Sequence, residues 1–75
     1  MNQTTPTSKK LSEHQMEVLV LLSKGFEQRE IARLLGITLN AAKCRAREVY
    51  RKLGAHNAAE AVSEGYQLGL LKVIE

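Results

Sequence analysis

Residues 38–54 contain an amphipathic helical pattern that joins a small apolar stripe to a basic face. At about 100° per residue, an α-helix places four apolar residues within one narrow arc: Ala42, Ala46, Val49 and Leu53. The opposite side, at roughly 100–200° from the stripe, carries Asn40, Lys43, Cys44, Arg47 and Arg51. The pattern predicts a helix that buries the stripe and exposes the basic face.

A helix with this basic face fits the major groove of double-stranded DNA, which is about 12 Å wide and admits one α-helix. Arg and Lys suit guanine edges and Asn suits adenine. We therefore expect Lys43, Arg47 and Arg51 to be the main DNA contacts, with Asn40 at the rim. Two alternatives stay open at this point: contacts to phosphates alone, which carry no sequence information, and a solvated basic face on an ordinary bundle helix.

Three further residues complete the expected contact set. Cys44 lies on the basic face, where a small apolar contact to a thymine methyl is favoured over a redox role for a thiol beside cationic side chains. Arg45 lies off that face by the angular count, so we expect it to contact phosphate or to form an ion pair with an acidic residue such as Glu48. Arg29 lies on the outer side of the preceding helix and is a further expected phosphate contact.

Positive charge is concentrated in this one segment. The net charge of the 75 residues is +3, whereas residues 38–54 contain five basic residues and one acidic residue. The remainder of the chain is therefore slightly acidic. Positive charge collected on a single helix is what a phosphate-backbone partner requires.

Length and composition limit the other functions open to the chain. Its 75 residues allow one small domain, and a single cysteine excludes an internal disulfide and a cysteine-rich zinc site. No apolar run approaches the ~18 residues of a membrane span. We expect a cytoplasmic protein without metal or cofactor. The absence of Asp, of a nucleophile beside a base, and of room for a pocket of ~300 Å³ or more argues against an enzyme.

The N-terminal part of the chain predicts a polar tail and a first helix. Residues 1–10 are polar and predicted to be disordered, and residues 11–75 then form the domain. The first helix is predicted over residues 11–24. Ser12 and Gln15 form a capping-box pattern at its start, and Gly25 ends it. Its high apolar content predicts that it is the central scaffold of the domain.

A helix-turn-helix pattern follows. The second helix is predicted over residues 28–35, with Ile31, Leu34 and Leu35 as its buried face. Gly36 ends it, and Thr38 is a suitable N-cap for the basic third helix. A short helix, a tight turn that contains Gly and a basic helix form the helix-turn-helix pattern.

A fourth helix is predicted from Ala58 to about Leu70, opened by a capping-box-like pattern at Asn57. Two interior glycines, Gly65 and Gly69, cost roughly 1 kcal/mol each relative to Ala, so close packing against another helix should offset them. Its inward stripe is predicted to contain Ala58, Ala61, Val62 and Gly65. The outer face carries little charge and predicts a weak two-fold dimer contact, formed by Ala59, Ser63, Tyr66 and Leu70.

In their order and spacing, these elements resemble the LuxR-type (GerE-type) DNA-binding domain. The resemblance covers residues 11–71 and rests on short motifs along the chain: Leu11 and Ser12, Glu17 to Leu19, Leu21 and Leu22, Gly25, Glu30 to Ala32, Leu35, Ile37 and Thr38, Lys43, Lys52 to Gly54, Ala61 and Val62, and Gly69 to Leu71. It implies an all-α, four-helix fold. It also implies that the third helix enters the major groove and that the fourth pairs with a second copy on DNA.

The sequence departs from the family pattern near the expected DNA contacts. The third-helix motif Thr-Val-Lys-x-His aligns with residues 41–45, where Lys43 is kept, Ala replaces both Thr and Val, and Arg45 replaces His. Glu27 stands where the family has a hydroxyl or amide residue, and it would repel phosphate. The fourth region of sigma factors shares the helix-turn-helix spacing, but residues 54–71 resemble only the LuxR-type fourth helix.

We therefore expect a sequence-specific DNA-binding transcriptional regulator that acts as a dimer. The alternative is a protein-binding module that pairs with another transcription regulator and blocks it. Glu27 and the missing Thr-Val pair favour the alternative, and the basic third helix favours DNA. Members of the family usually carry another domain before this one, so the sequence predicts either a standalone regulator or an excised domain.

Overall fold

The structure, a computed structural model, describes residues 11–72. In that range it contains four α-helices and no strand: α1 (Glu13–Ser23), α2 (Gln28–Leu35), α3 (Leu39–Leu53) and α4 (Ala58–Gln67). The predicted all-α, four-helix fold is thereby confirmed. The disorder predicted for residues 1–10 lies outside the described residues.

The third helix, not the first, is at the centre of the domain. α3 packs against each of the other three helices, whereas α1 packs chiefly against α3 and α4, and α2 against α3. The stripe of α3 is fully buried, as the sequence predicts: Ala42, Ala46, Val49 and Leu53. Three of these residues are small or β-branched, which allows neighbouring helices to approach α3 closely. The prediction that α1 is the central scaffold is wrong.

Side-chain caps define where the helices begin. Ser12 Oγ accepts a hydrogen bond from the Gln15 backbone N–H at 3.2 Å, and Gln15 Oε1 accepts one from the Ser12 N–H at 3.0 Å, so the predicted capping box is present. Thr38 Oγ1 accepts a hydrogen bond from the Ala41 N–H at 3.0 Å and caps α3. Each bond satisfies a backbone donor that has no partner within its helix.

The start of α4 is capped in two ways. Asn57 Oδ1 accepts a hydrogen bond from the Glu60 N–H at 2.9 Å. The Glu60 carboxylate accepts hydrogen bonds from the His56 N–H at 2.8 Å and from His56 Nδ1 at 3.1 Å. These bonds, the one from the backbone above all, hold the pKa of Glu60 below its ordinary value because they favour the charged carboxylate.

The turn between α2 and α3 is tight and contains Gly36. This residue adopts a φ of +68°, in the left-handed region that glycine enters without steric cost. The Ile37 N–H then donates to the Ala32 carbonyl at 2.9 Å. α2 buries Ile31 and Ala32, but Leu34 is 57% exposed, so its predicted burial is wrong. Because α2 packs chiefly on α3, only a narrow face of this short helix is covered.

α4 ends earlier than predicted. Its last residue is Gln67, and Gly69 follows with a φ of +79°. The Leu70 N–H donates back to the Gly65 carbonyl at 2.8 Å, and the turn buries Leu71 against the core. The predictions that the helix extends to Leu70 and that Gly69 is an interior residue are therefore wrong.

Gly65 does lie within α4, and the expected close packing is present there. A Cβ at this position would lie 2.9 Å from Leu71 Cδ1 and 3.1 Å from Leu19 Cδ2. Glycine allows α4, α1 and the segment after α4 to approach this closely without displacing the Leu71 and Leu19 side chains. The packing therefore explains a glycine that would otherwise weaken the helix.

Candidate nucleic-acid interface

The exposed side of α3 carries the residues that the sequence places on the basic face. All five side chains are solvent-exposed: Asn40, Lys43, Cys44, Arg47 and Arg51. They lie opposite the buried stripe because α3 keeps a regular helical period from Leu39 to Leu53. α2 and the Gly36 turn fix the start of α3, so this face has a defined position on the domain.

The cations of this face are not neutralised by other residues in the described part of the chain. Within residues 11–72, Lys43, Arg47 and Arg51 form no salt bridge with a carboxylate, and the salt bridge at His56 and Glu60 lies elsewhere. Unpaired Lys and Arg side chains on one helix attract anions and can contact phosphates or base edges. The face therefore has the charge and the accessibility that a nucleic-acid contact requires.

Arg45 lies beside this face and is half-buried. The expected ion pair between Arg45 and Glu48 is not formed. Glu48 Oε1 instead accepts a hydrogen bond from the side-chain amide of Gln15 at 3.1 Å. This contact could not be predicted from the sequence, because the two residues are 33 positions apart and no local pattern connects them.

A groove beside the basic face brings an acidic residue close to two of the expected DNA contacts. It has a volume of about 460 Å³ and is lined in part by Glu27, Arg29 and Lys43. Glu27 is the N-cap of α2, and its backbone N–H donates to Glu30 Oε1 at 2.9 Å. Arg29, on the first turn of α2, is exposed. A ligand at this groove would meet two cations and one carboxylate.

Only three of the four residues of the predicted dimer face lie together on α4. Ala59, Ser63 and Tyr66 are exposed on α4, and Tyr66 is 41% exposed. Leu70 lies beyond the end of α4, is half-buried and packs against the core. The structure thus places three of the four residues on one helix and separates the fourth from them.

Three findings bear on the other function classes. An open groove of about 590 Å³ lies beside α1, so the expectation that a domain of this size has no room for a pocket is wrong. Within residues 11–72, no cluster of three or more His, Cys, Asp or Glu residues could hold a metal ion. In the same part of the chain, no helix has the length and apolar character to cross a membrane.

Comparison with known proteins places this geometry in a family. The family described as bacterial regulatory proteins, luxR family, matches residues 9–64. The chain is 36% identical over 63 residues to the transcriptional regulatory protein YdfI of Bacillus subtilis. It is 38% identical over 64 residues to the transcriptional activator protein EchR of Dickeya chrysanthemi. It is 39% identical over 62 residues to the HTH-type transcriptional activator RamA of Corynebacterium glutamicum.

The matches cover most of this chain but a small part of each relative. They span 84%, 85% and 83% of the chain, against 30%, 26% and 22% of YdfI, EchR and RamA respectively. The chain thus spans less than a third of the length of these relatives.

Proposed function

The chain belongs to the luxR family of bacterial regulatory proteins, and on that premise we propose that it is a sequence-specific double-stranded DNA-binding module that regulates transcription in the cytoplasm. α3 occupies the major groove. Lys43, Arg47 and Arg51 are its main contacts, and Arg29 and Arg45 contact phosphates. The observation that carries the proposal is the exposed basic face of α3, whose cations form no salt bridge within residues 11–72.

The dimensions of α3 support this placement. At about 1.5 Å per residue, Asn40 and Arg51 are separated by about 16 Å along the helix axis. This distance corresponds to about five base pairs at 3.4 Å per base pair. A recognition helix contacts base edges with its N-terminal residues. Asn40, Lys43 and Cys44 lie in the first half of α3, and Arg47 follows one turn later, which supports base contacts by these residues in the proposal.

The protein binds DNA as a two-fold dimer in this proposal. Ala59, Ser63 and Tyr66 form an uncharged, exposed face on α4. Three side chains bury an area well below the ~1,200 Å² of a stable interface. Dimerisation is therefore weak in solution and is completed on DNA, where two α3 helices meet successive major-groove faces about 34 Å apart.

Selection from a pool of random duplexes tests the proposal. The wild-type protein should enrich one sequence, arranged as an inverted repeat whose half-sites are about one helical turn apart. The variant Arg47→Ala should enrich the same site but lose base preference at one position in each half-site. Failure of the wild type to enrich any sequence would remove the proposal.

A second candidate function is supported by Glu27. Its exposed carboxylate lines the same groove as Arg29 and Lys43, where it would repel phosphate. In this candidate the protein pairs with another transcription regulator and blocks it. The second candidate requires that the protein show no measurable affinity for duplex DNA even at about 50 mM salt, a condition that favours phosphate contacts strongly.

A further inference from the structure

α1 carries apolar residues on two opposite sides, of which the rest of the domain covers one fully and the other only in part. Val18, Leu19 and Leu22 are buried against the core. Met16 and Val20 lie on the opposite side and are only half-buried. A surface helix normally carries polar residues on the side that faces solvent. The packing of residues 11–72 therefore leaves a second apolar side of α1 incompletely covered.

This second side forms one wall of an open groove of about 590 Å³, here called the α1–α2 groove. Its apolar lining consists of Leu11, Met16, Val20, Leu21 and Leu35. Such grooves between helices receive amphipathic helices, whose apolar anchors recur at positions i, i+3, i+4 and i+7.

Within residues 11–72, both charged residues that line the groove are acidic. Glu13 and Glu17 are exposed and lie one turn apart on α1, and no Lys or Arg is among the described lining residues. If two copies of the chain met through this groove on a two-fold axis, four carboxylates would face one another. Juxtaposed like charges disfavour that contact. Charge complementarity therefore favours an occupant with basic side chains over a second copy.

We propose that the α1–α2 groove is a docking site for a protein partner that presents an amphipathic helix with leucine-type anchors and flanking Lys or Arg side chains. The anchors contact Met16, Val20 and Leu21, and the basic flanks pair with Glu13 and Glu17. No residue of the basic face of α3 lines this groove. The groove therefore stays accessible while α3 is on DNA, a corollary that rests on the proposed function.

A peptide titration of the isotopically labelled full chain tests the proposal. The probe is a synthetic helical peptide with Leu at positions i, i+3, i+4 and i+7 and with Lys at both flanks. Its matched control has Glu in place of every flanking Lys. In NMR spectra, the basic peptide should shift the amide signals of Met16, Val20 and Leu21. The acidic peptide should bind at least about tenfold more weakly. Each exposed charge pair contributes little to the affinity, but several pairs are lost together.

Charge reversal in the protein provides the second arm. Glu17→Lys should lower the affinity of the protein for the basic peptide and raise its affinity for the acidic one. Glu64→Lys, which makes the same charge change on α4 outside the groove, should leave the preference unchanged. Circular dichroism checks that both variants are folded.

Three results would overturn the proposal: equal affinity for the two peptides, shifts that lie outside the α1–α2 groove, or shifts in the groove that appear only after residues 1–10 are removed. The last result would assign the groove to the chain's own N-terminal segment. Because the titration contains no DNA, these results are independent of duplex binding. A repeat with duplex present tests the corollary alone.

Discussion

The side-chain amide of Gln15 donates a hydrogen bond to Glu48 Oε1 at 3.1 Å, which ties the start of α1 to the middle of α3. Gln15 is only 9% exposed, and its amide oxygen also accepts the hydrogen bond from the Ser12 N–H. One side chain therefore caps α1 and holds the helix that carries the basic face. This bond helps to fix the orientation of α3 relative to α1.

The first prediction concerns this bond. In Gln15→Glu, the capping acceptor is kept but the donor to Glu48 is replaced by a second carboxylate. We expect the free energy of unfolding to fall by about 1–2 kcal/mol at neutral pH, as for a lost, partly buried hydrogen bond to a charged group. Urea denaturation measures the loss.

The double variant Gln15→Glu, Glu48→Gln is the control for this prediction. The new amide at position 48 can donate to the new carboxylate at position 15, so most of the lost stability should return. If the double variant is instead as unstable as the two single changes added together, the contact between the side chains contributes nothing.

The second prediction concerns the close packing at Gly65. In Gly65→Ala, better helix propensity gains about 1 kcal/mol, but the new Cβ overlaps Leu71 and crowds Leu19. Overpacking of this kind costs about 1–3 kcal/mol, so we expect a net loss of about 1 kcal/mol in thermal or urea unfolding. Adding Leu71→Val should make the substitution less harmful than in the wild type. Equal effects in both backgrounds would show that Leu71 is not the residue being crowded.

Capping chemistry made the helix starts predictable from the sequence. Ser12, Thr38 and Asn57 each cap a helix through local bonds of three residues' separation. The apolar stripe and the basic face of α3 were predictable for a similar reason, since both depend only on the helical period. Such features are determined by residues that are close together in the sequence, so they can be predicted without knowledge of the tertiary packing.

Features that depend on packing were not predictable in the same way. Leu34 has the spacing of a buried residue, but no neighbouring helix within residues 11–72 covers that side of α2. The end of α4 was placed too late because Leu68 and Leu70 suit a helix, whereas the burial of Leu71 requires the chain to turn at Gly69. The bond between Gln15 and Glu48 depends on how α1 and α3 pack. Each of these features follows from the tertiary arrangement rather than from local preference.

The third prediction concerns the proposed dimer face. Tyr66→Glu should place two carboxylates near each other across the two-fold axis, while Tyr66, at 41% exposed, is not required for the core. The variant should remain folded by circular dichroism but lose cooperative binding to a palindromic site in gel-shift titrations. Gln67→Glu, the same charge change on the neighbouring exposed residue, should retain more cooperativity. Unchanged cooperativity in Tyr66→Glu would place the dimer contact on another surface.

The fourth prediction concerns ionic strength. A dimer that contacts about six to ten phosphates releases bound counterions, so its affinity should fall by ~10³–10⁵ between 50 and 200 mM salt. Fluorescence anisotropy with a labelled duplex measures this slope. A slope near zero would mean that the basic face of α3 does not contact the phosphate backbone.

The placement of α3 in the major groove is tested most directly by titrating the selected duplex with wild type, Lys43→Ala, Arg47→Ala and Lys24→Ala. Lys24 is exposed at the end of α1, in a groove that no α3 residue lines but that Tyr66 of the proposed dimer face also lines. It is therefore compared on a single half-site, where Lys24→Ala removes one positive charge outside the basic face. Arg47→Ala should weaken specific binding by about 1–3 kcal/mol and relax one position per half-site, Lys43→Ala should also lose affinity, and Lys24→Ala should bind much like the wild type. If Lys43→Ala and Arg47→Ala both bound the duplex as tightly as the wild type, the proposed position of α3 would be contradicted.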